Sequence, residues 1–138
     1  MWQYCNVFGT VLQVLQSDGG NYSVCVNAAT LALIDAGIAL RDVVCACTAA
    51  VLGTDSMATV VDVNNVEEST SRGAVMTVAV LPKSGQIVHV EMTGRLHEEG
   101  LPVLLDSATT ACHDVLSILD DVIRDHVTAL ASTIVSSS

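Results

Sequence analysis

Apolar positions along the chain change period from two to nearly four and back, and each change marks an element. Val11, Leu12, Val14 and Leu15 make an apolar stretch that predicts a strand. Asp18-Gly19-Gly20 ends it, because paired glycines reach backbone angles closed to other residues. A helix then leaves from the turn, with Val24, Ala28, Leu31 and Ala32 expected on its packed face and Gly37 as its stop. A strand, a glycine turn and a helix start together can hold an anion, since several backbone N–H groups point outward there. Asp18, Gly19, Gly20, Asn21 and Tyr22 are therefore the candidate anion turn.

From Asp42 to Leu52 the chain is continuously small and apolar, which suits a strand buried on both faces. Gly53-Thr54-Asp55-Ser56 reads as a turn, Thr59–Val63 as a short strand, and residues 67–73 as a polar loop. Ala74–Leu81 and Gln86–Met92 are apolar-rich strands around Pro82-Lys83-Ser84-Gly85, a hairpin pattern. Apolar residues from Leu101 to Leu130 then recur at three and four, predicting an amphipathic helix to about Ala131. Gly100 and Pro102 mark its start or a kink, and Asp106, Asp114, Asp120, Asp121 and Asp125 form a solvated acidic stripe. Segmentation follows: residues 1–11 are a divergent N-terminal segment, 12–131 the folded portion, and 132–138 a frayed tail. The order of elements predicts an α+β fold, a mixed sheet with packed helices.

Composition narrows the chemistry. A chain of 138 residues, 51% hydrophobic and 14% charged, is one globular domain at most. Aromatics are only 3%, so the core is expected to be Val, Leu, Ile and Ala. The net charge is −10, and the five basic residues are scattered singly. Independent RNA binding is thereby disfavoured, because neutralising phosphates supplies most of that affinity. Cys5, Cys25, Cys45, Cys47 and Cys112 lack zinc-ligand spacing, although Cys45 and Cys47 would share one side of a strand. Buried thiols in a reducing compartment are the expectation, with no metal and no cofactor. No apolar run approaches 18 residues and no leader pattern opens the chain, so a soluble intracellular protein with no membrane partner is expected.

The stretch Val14-Leu15-Gln16-Ser17-Asp18-Gly19-Gly20, followed by a small-residue helix ending Ile34-Asp35-Ala36-Gly37-Ile38, resembles the RNase PH family and especially its exosome ring members. The resemblance continues through Arg41-Asp42-Val43-Val44-Cys45-Ala46-Cys47, Val66-Glu67-Glu68, Ser84-Gly85-Gln86-Ile87 and Arg95-Leu96-His97-Glu98-Glu99. Residues 1–8 fit no part of it. The resemblance implies a ribosomal protein S5 domain 2-like (RNase PH-type) architecture with a left-handed βαβ crossover, here lacking the N-terminal half.

It also implies a chemistry against which individual residues can be read. Active members hold inorganic phosphate at the glycine turn with an arginine and phosphorolyse the 3′ end of RNA. Asn21, Tyr22 and Ser23 stand at the corresponding turn positions, and Tyr22 carries no charge. The family's acid at the start of the following strand falls on Ala74 or on Val75, depending on which end of the loop is counted from, and neither ionises. Glu67 and Glu68 are the nearby acids, expected to be solvated, while Asp18 is expected to bond backbone N–H groups within its own turn or, failing that, to bind metal. His89, His97, His113 and His126 lack a nucleophile placed by any motif. The implied reading is a chain with no catalytic residue: a structural exosome ring subunit in the nucleus, nucleolus and cytoplasm. Its partners would be other RNase PH-like ring subunits and cap subunits, with RNA met only through the assembled complex. The alternatives are a weak phosphorolytic 3′–5′ exoribonuclease and a half domain without function.

Overall fold

The computed structural model describes residues 9–53, 58–70 and 73–136. Helix α1 spans Asn21–Asp35, followed by strand β1 at Cys45–Val51 and strand β2 at Thr59–Val61. A short helix α2 covers Asn65–Thr70, strands β3 and β4 cover Val75–Leu81 and Gln86–Thr93, and helix α3 covers Gly100–Ser136. The sheet order is β2-β1-β3-β4, and all three pairings are antiparallel. The α+β class with packed helices stands as expected. The expectation of a mixed sheet gives way to an antiparallel one, because no parallel neighbour occurs among the described residues and so no βαβ crossover is formed there.

The core lies between α3 and one face of the sheet. Cys45, Cys47, Ala49 and Val51 of β1 and Met76, Val78 and Val80 of β3 point the same way by strand alternation. They meet Leu104, Ala108, Ala111, Cys112 and Leu119 of α3. The buried apolar residues are Ala, Cys, Val, Met and Leu, with no isoleucine among those described. Small side chains on both surfaces let the helix lie close to the strands.

β1 is buried along its whole length, matching the continuous apolar pattern. Its second edge explains α1. β2 has only three residues, so it pairs with β1 only from Ala49 to Val51. Beyond it, α1 takes over the exposed backbone groups with side chains. Asn27 Nδ2 donates to the Ala46 carbonyl at 2.9 Å, and the Ala46 N–H donates back to Asn27 Oδ1 at 2.8 Å. Thr30 Oγ1 donates to the Val44 carbonyl at 2.9 Å, and Thr48 Oγ1 donates to Ser23 Oγ at 3.2 Å. The face of α1 turned to the sheet is thus Ser23, Asn27 and Thr30, three and four residues apart. The expected face fails: Val24, Ala28 and Ala32 are exposed, and only Leu31 reaches the core. Unpaired strand groups must be covered, and here polar side chains cover them.

α1 ends as expected at Gly37, whose φ is 69°. The Gly37 N–H bonds the Ile34 carbonyl at 2.9 Å and the Ile38 N–H bonds that of Leu33 at 3.0 Å, a Schellman ending. Several boundaries move. Val11–Leu15 forms no strand, because it has no ladder partner among the described residues; Val11 is 94% and Leu15 89% exposed. The expected loop at 67–73 contains α2. Asn64 and Glu67 nucleate it reciprocally: the Glu67 N–H bonds Asn64 Oδ1 at 2.9 Å and the Asn64 N–H bonds Glu67 Oε2 at 2.9 Å. α3 runs past Ala131 to Ser136, so the first part of the expected tail is helical. The turn at 54–56, Arg72 and residues 1–8 lie outside the described residues.

Candidate functional site

Each residue of the candidate turn has a structural duty that fixes it in place. Asn21 Nδ2 donates to Ser17 Oγ at 2.6 Å. Asp18 does not bond its own turn; its Oδ1 accepts from the Asn65 N–H at 3.4 Å and so ties the turn to the start of α2. The local sequence suggested an Asx turn, but the nearest open donor belongs to a helix start distant in sequence. Gly19 has φ 88°, and a Cβ there would lie 2.5 Å from the Val63 carbonyl oxygen. Gly20, at φ 56°, precedes α1 and offers no side-chain cap. Ser23 Oγ turns back to the Gly20 carbonyl at 2.7 Å.

Tyr22 leaves this turn towards β4 and stacks on His89, with ring centroids 5.0 Å apart and planes at 29°. Below it lies a cleft of about 190 Å³. Asn21 and Tyr22 come from α1, Glu68 from α2, Val75 and Thr77 from β3, and Glu91 and Thr93 from β4. Strand alternation places Val75 with Thr77, and Glu91 with Thr93, on this side of the sheet. The Thr77 hydroxyl is engaged with that of Thr48 at 3.0 Å. His89 Nε2 is shielded from solvent and makes no hydrogen bond; the Glu91 carboxylate stands 3.9 Å away.

The two positions that the resemblance offered for the family's acid differ in their surroundings. Val75 lines the cleft, whereas Ala74 is fully buried among the core residues. The two glutamates separate: Glu67 caps α2 and Glu68 faces the cleft. They sit on a helix, where successive side chains still diverge. Sequence reasoning missed Glu91. Its signal was present, since His89, Glu91 and Thr93 are spaced by two along one strand, but only the sheet shows that α1 and α2 face that same side. No Lys or Arg among the described residues lines the cleft. Its electrostatics are those of two carboxylates beside a helix start, and the carboxylates repel a phosphate that the helix start alone would attract.

The other candidates remain apart. His97 is exposed and 4.0 Å from Glu99, His113 is exposed, and His126 bonds Asp35 at 2.9 Å between α3 and α1. Cys45, Cys47 and Cys112 come together in the core, where burial pushes the Cys45 thiol up to about 11 and that of Cys112 to about 12. Such thiols stay protonated and unreactive at neutral pH. Among the described residues no group of three or more His, Cys, Asp or Glu side chains is placed to hold a metal ion, and no helix is long and apolar enough to cross a membrane.

Residues 42–111 match the 3′ exoribonuclease family, domain 2. The chain is 50% identical over 116 residues to exosome complex component RRP41 of Homo sapiens, a match covering 84% of this chain and 46% of the relative. It is 38% identical over 119 residues to the exosome complex component RRP41 homolog of Arabidopsis thaliana, covering 86% and 48%. The chain therefore spans about half the length of the curated relatives it matches. The crystal structure of rice (Oryza sativa) Rrp46 has the same fold at a TM-score of 0.73 and 20% identity, over 81% of this chain and 52% of that one.

Proposed function

This chain belongs to the 3′ exoribonuclease (RNase PH) family, and on that premise we propose that it serves the RNA exosome as a structural, non-catalytic component. The identity to exosome components named RRP41 supports the assembly. The observation that carries the non-catalytic role is the make-up of the cleft. Where the family resemblance calls for an arginine and an acid, Tyr22 and Val75 line one cleft together with Glu68 and Glu91. A tyrosine hydroxyl gives one neutral hydrogen bond in place of a bidentate, charged grip on phosphate. Valine can neither donate a proton to a leaving oxygen nor hold a magnesium ion. The carboxylates add repulsion towards both phosphate and the RNA backbone.

In this reading the chain contributes to RNA 3′ processing and decay by holding neighbours in place, in the nucleus, nucleolus and cytoplasm. Its partners are other RNase PH-like subunits and cap subunits, and RNA reaches it through the assembled complex. The catalytic half of the proposal is tested by incubating the purified chain with a 3′-labelled single-stranded RNA, with and without inorganic phosphate. No phosphate-dependent shortening is expected, and none in Tyr22→Arg, which restores a phosphate grip but no acid. Phosphate-dependent release of nucleoside diphosphates by the unaltered chain would establish the phosphorolytic alternative.

A further inference from the structure

Helix α3 is packed on the sheet as far as Leu119, and beyond that point it runs alongside α1. A groove of about 230 Å³ lies between the two helices. Leu31 and Ile34 of α1 and Val122, Ile123, Val127 and Leu130 of α3 line it. These apolar walls close loosely, since Val127 is 57% and Leu130 51% exposed. Apolar packing therefore holds the overhang of α3 weakly, and a polar tie of modest strength can decide its position. Such a tie is present: His126 Nε2 and Asp35 Oδ1 meet at 2.9 Å beside the groove.

The setting of this pair makes it sensitive to one proton. Asp35 is the last residue of α1, whose last turn carries no basic residue. A carboxylate there meets the negative end of the helix dipole, and a cation brought in from another element relieves both charges. Protonated His126 is that cation. Neutral imidazole can still donate one hydrogen bond to the carboxylate, but it loses the charge assistance that makes such bonds roughly twice as strong. An imidazole changes charge between about pH 5 and 8. The surrounding groups do not replace it. On α3, Arg124 is engaged with Asp120 at 3.8 Å, and Asp121 and Asp125 are acids. In the connection from α1 to β1, Arg41 pairs with no carboxylate among the described residues, and Asp42 accepts from the Val43 N–H at 2.8 Å.

We propose that His126 and Asp35 form a pH-sensitive latch, which pins the overhang of α3 to α1 while His126 is protonated and loosens as His126 loses its proton. The latch is closed towards acid pH and relaxes as pH rises through the histidine range. Both partners and the groove belong to this chain, so the latch stands or falls apart from the exosome role.

The test is hydrogen exchange of the 138-residue chain at about pH 5.5 and about pH 8, read as protection factors so that the intrinsic effect of pH cancels. Protection at residues 127–130 should fall about threefold between the two, the size expected of an exposed ion pair. Asp35→Asn should show the low protection at both pH values. His126→Arg keeps a cation at both and should show the high protection at both. His97→Gln, before the start of α3, should leave the fall unchanged. His126 is 53% and Asp35 68% exposed, so these variants should keep the circular dichroism of the unaltered chain. Equal protection at both pH values in the unaltered chain would overturn the proposal. A fall that persists in Asp35→Asn or in His126→Arg would overturn it too, by assigning the pH dependence to other groups. So would an equal fall from Leu104 to Leu119, which would mark a general loosening.

Discussion

Asn27 makes two bonds with one side chain, because its amide satisfies both the N–H and the carbonyl of Ala46 at the uncovered part of β1. Asn27→Ala leaves both groups buried and unpaired, and a loss of about 2–4 kcal/mol is expected in urea unfolding. Asn27→Asp keeps the acceptor, loses the donor and sets a carboxylate against a carbonyl, so it should rescue little. Gly19→Ala should cost about 2 kcal/mol or more by the same measurement, since the residue sits at φ 88° with no room against the Val63 carbonyl. The core thiols set an alkaline limit. Their folded-state values lie above the ordinary 9.0, so the folded state retains protons that the unfolded chain releases. The contribution of these thiols should be level below about pH 9. It should then fall as pH rises towards the folded values of about 11 for Cys45 and about 12 for Cys112, more steeply than in Cys45→Ala. The readout is melting temperature against pH.

At the scale of elements, legibility in the sequence followed how local each cause is. The β3–β4 hairpin was readable because alternation and turn residues lie next to one another, and β1 because burial on both faces leaves a continuous apolar run. The end of α1 was readable from Gly37 alone. The orientation of α1 was not, because Ser23, Asn27 and Thr30 look like a solvated stripe until a strand with unfilled edge groups is placed beside them. α2 was missed for a similar reason: its six residues, five of them polar, have no apolar period, and the reciprocal bonds of Asn64 and Glu67 start the helix. Asn64→Ala should therefore cost about 1 kcal/mol and speed hydrogen exchange across Asn65–Thr70. The cleft was legible in part. Tyr22 and Glu68 could be named from the chain, but that Val75 and not Ala74 lines the cleft, and that Glu91 joins it, depend on which side of the sheet faces α1. α3 shows a further limit of pattern reading, since its apolar spacing continues through Val122, Val127 and Leu130, which are exposed beyond the sheet. Amides after His126 should exchange faster than those from Leu104 to Leu119, where the helix is packed.

At the scale of the whole molecule, charge and uncovered surface point the same way. A net charge of −10 disfavours a grip of the chain's own on RNA, while apolar residues stand exposed along Val11–Leu15, on β4 and on the overhang of α3. The proposed structural role requires such surface to be covered by neighbours in an assembly. Binding of the isolated chain to single-stranded RNA should be undetectable at physiological salt in a fluorescence anisotropy titration. The measurement that bears most directly on the structural exosome role is quantitative co-purification of the tagged 138-residue chain from cells, with every recovered protein weighed against the bait. Recovery of the other RNase PH-like exosome components in near-equal amounts is the predicted result. A soluble, folded chain that returns without any of them would contradict it.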